Sequence, residues 1–180
     1  QHLSNTAWAF STLAFAHQPL LDAISAQSIA RRAGGGGQPA AQMFRCQELA
    51  NMAWSYSTLA VSDLPLMNAL SAAAIARISH FIPMDLSITA WAFAARSVSD
   101  EPLFSAISSA SIRHIQAFIP LDIANTSWAY AKCSVSDAPL FAALSSAALR
   151  RMGEFNCQVL PNTLWAYASL SFGDGHLFDA

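Results

Sequence analysis

Glu48 to Leu66 reads ELANMAWSYSTLAVSDLPL, and the rest of the chain is built from copies of this stretch. Trp54, Trp91, Trp128 and Trp165 lie 37 residues apart, and Pro65, Pro102 and Pro139 keep the same spacing. So do Asp63, Asp100, Asp137 and Asp174. Trp8 and Pro19 join the register once about nine extra residues around Gly34 to Gly37 are allowed for. A fixed period of this length is the mark of a helical repeat array. One such unit cannot bury its apolar faces alone, so the units must stack. The expected fold is all-α: a solenoid of right-handed type made of stacked two-helix repeats.

The units run over residues 1–46, 47–83, 84–120, 121–157 and, in part, 158–180, all within one solenoid domain. The first carries a Gly-rich loop at 34–41, whose Gly34 to Gly37 followed by Gln38 and Pro39 breaks any helix. Each unit opens on a helix with Leu, Trp and an aromatic at fixed places: Leu49, Trp54, Tyr56; Leu86, Trp91, Phe93; Ile123, Trp128, Tyr130. Pro83 and Pro120 precede Asp85 and Asp122, acids that suit the first turn of a helix through its dipole. A short turn follows the first helix: VSDLP, VSDEP or VSDAP. Its Asp is expected to cap the second helix, and the Pro two residues on sits where a missing N–H costs little. In the last unit His176 replaces that Pro.

Composition bounds the function classes. The chain is 54% hydrophobic and 11% charged, with a net charge of −2. It holds no run of 18 or more apolar residues, so no membrane span is expected. The net charge argues against a strongly basic nucleic-acid binder, although a total can hide a local stripe. Cys46, Cys133 and Cys157 are odd in number and lack metal spacing, which suggests free, mostly buried thiols in a reducing compartment. A start at Gln1 without an initiator Met reads as a fragment of a longer array, from whose termini localisation cannot be read.

Leu49, Ala53, Tyr56 and Ala60 fall on one helical face, expected to be core. Trp54 lies beside it and reads as a wedge between repeats, with a base-stacking platform as the other reading. The opposite face holds Glu48, Asn51, Ser55 and Thr58. Its counterparts are His2, Asn5, Ala9, Thr12; Asp85, Ile88, Ala92, Ala95; Asp122, Asn125, Ala129, Lys132; and Val159, Asn162, Ala166, Ser169. The third place is always small, which would allow close approach, and the second is Asn in all units but one. Asn is a poor helix former and needs a reason to sit mid-helix. A constant skeleton with a varying polar stripe suits a modular reader, in which each unit offers a few side chains to one ligand element. A freely drifting solvated face is the plainer alternative. A second stripe, Arg31, Arg77, Arg113 and Arg151, lies near the ends of the second helices and could follow a phosphate backbone, or simply offset helix dipoles.

The motifs LSNTAWAF, ELANMAWSY, DLSITAWAF, DIANTSWAY and VLPNTLWAY together resemble the octotricopeptide repeats of organellar proteins and the related heptatricopeptide repeats. The resemblance covers the chain apart from the Gly-rich loop. It implies single-stranded RNA bound along a concave face lined by the first helices. It also implies a role in organellar RNA processing, stability or translation in the mitochondrion or plastid. The positions matching that role are the Asn stripe and its neighbours, and Ile88 departs from the pattern.

Catalysis is not expected. His2, His17, His80, His114 and His176 are scattered, the recurring Asp residues are caps, and Gly34 to Gly37 lacks the strand and Lys of a phosphate loop. No cofactor, metal or small-molecule substrate is implied. The rival function is a scaffold binding a protein partner along the concave face, which low positive charge favours.

Overall fold

The computed structural model describes residues 2–33 and 44–170, all of them in helices, turns and short connections. The first helices of the repeats are α1 (His2–Thr12), α3 (Cys46–Thr58), α5 (Pro83–Ala95), α7 (Pro120–Lys132) and α9 (Val159–Ser169). The second helices are α2 (Gln18–Ala33), α4 (Leu64–Arg77), α6 (Glu101–His114) and α8 (Ala138–Arg150). The all-helical stack expected from the period is therefore present. The Gly-rich loop at 34–41, Asp174 and His176 lie outside the described residues.

The VSD turn does what its sequence dictates. The Asp63, Asp100 and Asp137 carboxylates accept from the N–H groups of Leu66, Leu103 and Leu140 at 2.9, 3.0 and 3.0 Å. That satisfies one of the donors every helix N-terminus leaves unpaired. The preceding helix ends on a residue in the left-handed region: Ala14, Ala60, Ser97 and Ser134 have φ of 50, 56, 54 and 55°. The chain then bonds back, Val61 N–H to the Tyr56 carbonyl at 3.0 Å and Val98 N–H to that of Phe93 at 2.9 Å, which closes the helix as a Schellman-type end. Ala60 thus lies past the helix and is exposed, so the expected core face is Leu49, Ala53 and Tyr56 alone.

Successive first helices pack against one another far more closely than successive second helices do. Small residues permit this. Ser55, Ala92, Ala129 and Ala166 are fully buried in the first-helix layer, and interaxial distance falls with the size of the side chains at the contact. Two hydroxyls stitch the layer: Ser57 Oγ donates to the Ala92 carbonyl at 2.7 Å, and Ser87 Oγ to Asp122 Oδ1 at 2.7 Å. Between the layers, the Tyr56, Tyr130 and Tyr167 hydroxyls reach the carbonyls of Leu21, Phe104 and Phe141 on the preceding repeat's second helix, at 2.6, 2.5 and 2.6 Å. Phe44, Phe81 and Phe118, in the connections from one repeat to the next, are buried and seal each seam. A stack packed tightly in one layer and loosely in the other bends toward the tight layer, so the first helices line the inside of the curve.

Candidate nucleic-acid interface

The exposed face of the first helices is offset by one position from the expected stripe. The first place is structural. Glu48, Asp85 and Asp122 are buried, and each carboxylate accepts from the N–H three residues upstream: Arg45 at 3.0 Å, Ile82 at 3.3 Å and Ile119 at 3.2 Å. These acids are the returning arm of a capping box and do not face a ligand. Burial holds the Asp85 and Asp122 carboxyls above the usual carboxylate range, partly offset at Asp122 by the Ser87 hydrogen bond. In the last repeat Val159 stands at this place, and the cap moves to Asn156. Its Oδ1 accepts from the Gln158 and Val159 N–H groups at 3.0 and 2.9 Å. The change from acid to Val159 at this position is an exchange of caps.

The small third place is also structural, because the neighbouring first helix covers it. The second and fourth places stay open. Asn5 and Asn162 are exposed, and Asn51, Ile88 and Asn125 are half-buried. Thr12, Thr58, Lys132 and Ser169 are exposed near the helix ends. The hydroxyls of Thr12, Thr58 and Ser169 donate to their own helices, at the carbonyls of Ala9, Trp54 and Trp165.

The position that sequence reasoning assigned to wedging is the tryptophan. Trp8 and Trp165 are about half exposed, at 49 and 48%, and Trp54, Trp91 and Trp128 are half-buried. The Trp91 and Trp128 rings stack with centroids 6.2 Å apart and planes at 30°. The open face is therefore Gln47, Asn51, Trp54, Thr58 and their counterparts, an i, i+4, i+7, i+11 set that shares Asn51 and Thr58 with the expected stripe and replaces Glu48 and Ser55 by their neighbours. A groove of ≈ 480 Å³ runs across it and brings together Trp54, Ile88, Trp91, Asn125 and Asn162. Residues of α3 and α9 share one groove across α5 and α7, as a concave layer requires. Asn5 and Asn51 lie outside it. Leu121 also lines the groove and is 52% exposed.

The second-helix cations do not form a continuous ladder. Arg77 and Arg151 share a register position whose third member is His114, and Arg113 lies one residue earlier, beside it. Arg113 is exposed, whereas Arg151 pairs with Glu154 at 3.1 Å and its charge also favours the Asp122 carboxylate. Arg31 falls in α2, with its side chain outside the described residues. Among the described residues no group of three or more His, Cys, Asp or Glu could hold a metal ion, and no helix is long and apolar enough to cross a membrane. Cys46 and Cys133 are half-buried, and burial pushes the Cys133 thiol up. Cys157 is exposed, against the expectation of mostly buried thiols.

Stacked two-helix repeats with an aromatic and carboxamide face on the first-helix layer define an α-helical repeat protein. The chain belongs to the family of the RNA-editing substrate-binding complex 6 protein (RESC6), whose family model matches residues 23–180. The match shows that family, and the finer resemblance to octotricopeptide or heptatricopeptide repeats is not part of it. No curated protein matches the chain.

Proposed function

We propose that this array binds single-stranded RNA along the concave face of its first helices, as a non-catalytic component of an organellar RNA-processing assembly. The observation that carries the reading is the groove uniting Trp54 and Trp91 with Asn125 and Asn162 across successive repeats. Aromatic faces hold unpaired bases, and carboxamides offer both a donor and an acceptor to base edges. Membership of a family named for an RNA-editing substrate-binding complex supports the same reading. A mitochondrial or plastid site of action belongs to the proposal.

The test is fluorescence anisotropy of the chain with a random single-stranded RNA pool at low and moderate salt. Saturable binding that weakens with salt, and that RNA competes better than duplex DNA, supports the reading. At about one base per repeat the array spans only four or five nucleotides, so weak binding is expected. Replacing Asn51, Asn125 and Asn162 together with Ala should weaken binding without loss of helicity. Unchanged binding by the folded triple variant would remove the Asn stripe from the reader.

A second reading is a groove for an apolar peptide of a protein partner. Leu121 at the groove and Met84 nearby on the same layer are 52 and 44% exposed, and the net charge is −2. Absence of RNA binding at low salt by the folded chain would favour it.

A further inference from the structure

Resting on the RNA reading above, we infer that the groove takes the uncharged faces of unpaired bases and leaves the phosphates at its rim. In this arrangement the third repeat stacks its base without reading it. The described residues that line the groove carry no charge: indoles, aliphatic side chains and carboxamides only. A phosphate drawn into such a surface would be desolvated with no cation beside it to offset the cost. A base loses little there and gains a π-face contact. The volume, ≈ 480 Å³, lies within the range of clefts that take small ligands.

The tryptophans are placed for stacking. The first-helix layer is closed largely by Ala and Ser, and the indoles stand at its open edge: Trp8 and Trp165 half exposed, and Trp54, Trp91 and Trp128 half-buried, with Trp91 and Trp128 resting one side on the core. Trp91 and Trp128 already form a stack, and the half-exposed Trp8 and Trp165 extend the row to both ends of the described array. Stacking is tolerant of sequence because every base has a π-face. Edge reading is not, and it falls to the carboxamides at the second place. Ile88 stands there in the third repeat between Asn51 and Asn125, and it lines the groove beside Trp91. It offers no donor or acceptor. The base opposite it meets an aromatic face and an aliphatic side chain, so this repeat is degenerate within an otherwise selective row.

The experiment follows intrinsic tryptophan emission and anisotropy together while the intact chain is titrated with short homopolymeric RNAs of U, A and C and with duplex RNA. Single strands should quench emission with the same saturation curve as anisotropy, and duplex should not. Trp91→Leu and Trp128→Leu, each shown to be helical by circular dichroism, should lose about tenfold in affinity. Trp91→Phe and Trp128→Phe should restore part of it. Ile88→Asn should leave helicity unchanged and widen the spread of affinities among the homopolymers by about tenfold, the value of one added edge reader. RNA bound without quenching, with the Leu variants unaffected, would overturn the stacking inference and leave the RNA reading standing. An unchanged spread for Ile88→Asn would overturn the degenerate third repeat. Failure of the folded wild-type chain to bind any single strand at low salt would overturn the RNA reading itself, and this inference with it.

Discussion

The Ser87 hydroxyl donates to the Asp122 carboxylate at 2.7 Å across the seam between α5 and α7, with both groups buried. The same carboxylate accepts from the Ile119 N–H and so caps its own helix. One acid thus fixes the start of α7 and ties that helix to its neighbour. Burial raises its folded pKa above the unfolded value, and the Ser87 bond works against that rise.

Ser87→Ala should cost about 1.5–3 kcal/mol at neutral pH, the range for a hydrogen bond to a charged group. The sign of the pH effect follows from linkage. A carboxyl with a raised folded pKa contributes stability that is fully present below its unfolded value and lost as pH rises through the folded one. Removing the Ser87 donor raises the folded pKa further, so the variant carries the larger penalty once the acid ionises. Urea unfolding at pH 7 and near pH 4 should therefore show a smaller gap between variant and wild type at the acidic value. An equal gap at both would mean that Ser87 acts by packing alone.

Tyr130 reaches the Phe104 carbonyl on the preceding repeat and meets the Phe104 ring edge-on at a centroid distance of 5.0 Å. Tyr130→Phe keeps the ring contact and removes the hydroxyl, so it should cost about 1 kcal/mol. The third repeat already carries Phe at this register, at the fully buried Phe93. Phe93→Ala, by contrast, removes the whole ring and should cost about 3–5 kcal/mol. Chemical denaturation of the two variants separates the latch from the packing.

Ala60 adopts φ 56° at the end of α3, in the left-handed region. A Cβ there costs about 1 kcal/mol that glycine avoids. Ala60→Gly should raise the unfolding free energy by up to about 1 kcal/mol, and Ser97→Gly and Ser134→Gly should behave alike, because the same turn recurs at φ 54 and 55°. A fall in Tm for all three would show that the glycine's added freedom in the unfolded chain outweighs the relief of strain.

The repeat skeleton was legible because it is punctuated. Asp63, Asp100 and Asp137, each followed by Pro two residues on, announce a helix start through chemistry that needs no tertiary contact. The exposed face was harder to place. Glu48, Asp85 and Asp122 have the polarity of surface residues, yet their carboxylates turn back onto the backbone and are buried. Ser55 and Ala92 looked like room for a ligand, but that room is filled by the neighbouring helix. Trp91 and Trp128 keep part of the wedge role, because they pack against the core and stack on each other across the seam, yet each indole also reaches the open face. The burial of the first and third places has one origin: helix-to-helix distance decides which neighbouring positions are covered, and a single repeat's sequence does not state that distance. The Asn row lies on the part of the face common to the expected and the observed open stripe.

Lys132 is the one cation in the row formed by Thr12, Thr58, Ala95, Lys132 and Ser169, and it is exposed at the end of α7. If the bases enter the groove, the backbone must pass along its rim, where an exposed lysine on the first-helix layer can meet a phosphate. Lys132→Gln should then weaken binding of every single-stranded sequence to a similar extent. It should also lower the slope of log affinity against log salt by about 0.7, the value of one phosphate contact on a single strand. Arg113, exposed on the second-helix layer, provides the contrast: Arg113→Gln should leave that slope unchanged. The reverse pattern would place the backbone along the second helices and send the strand over the outer edge of the stack. A loss at Lys132 confined to one homopolymer would make the lysine a reader of bases rather than a contact to phosphate.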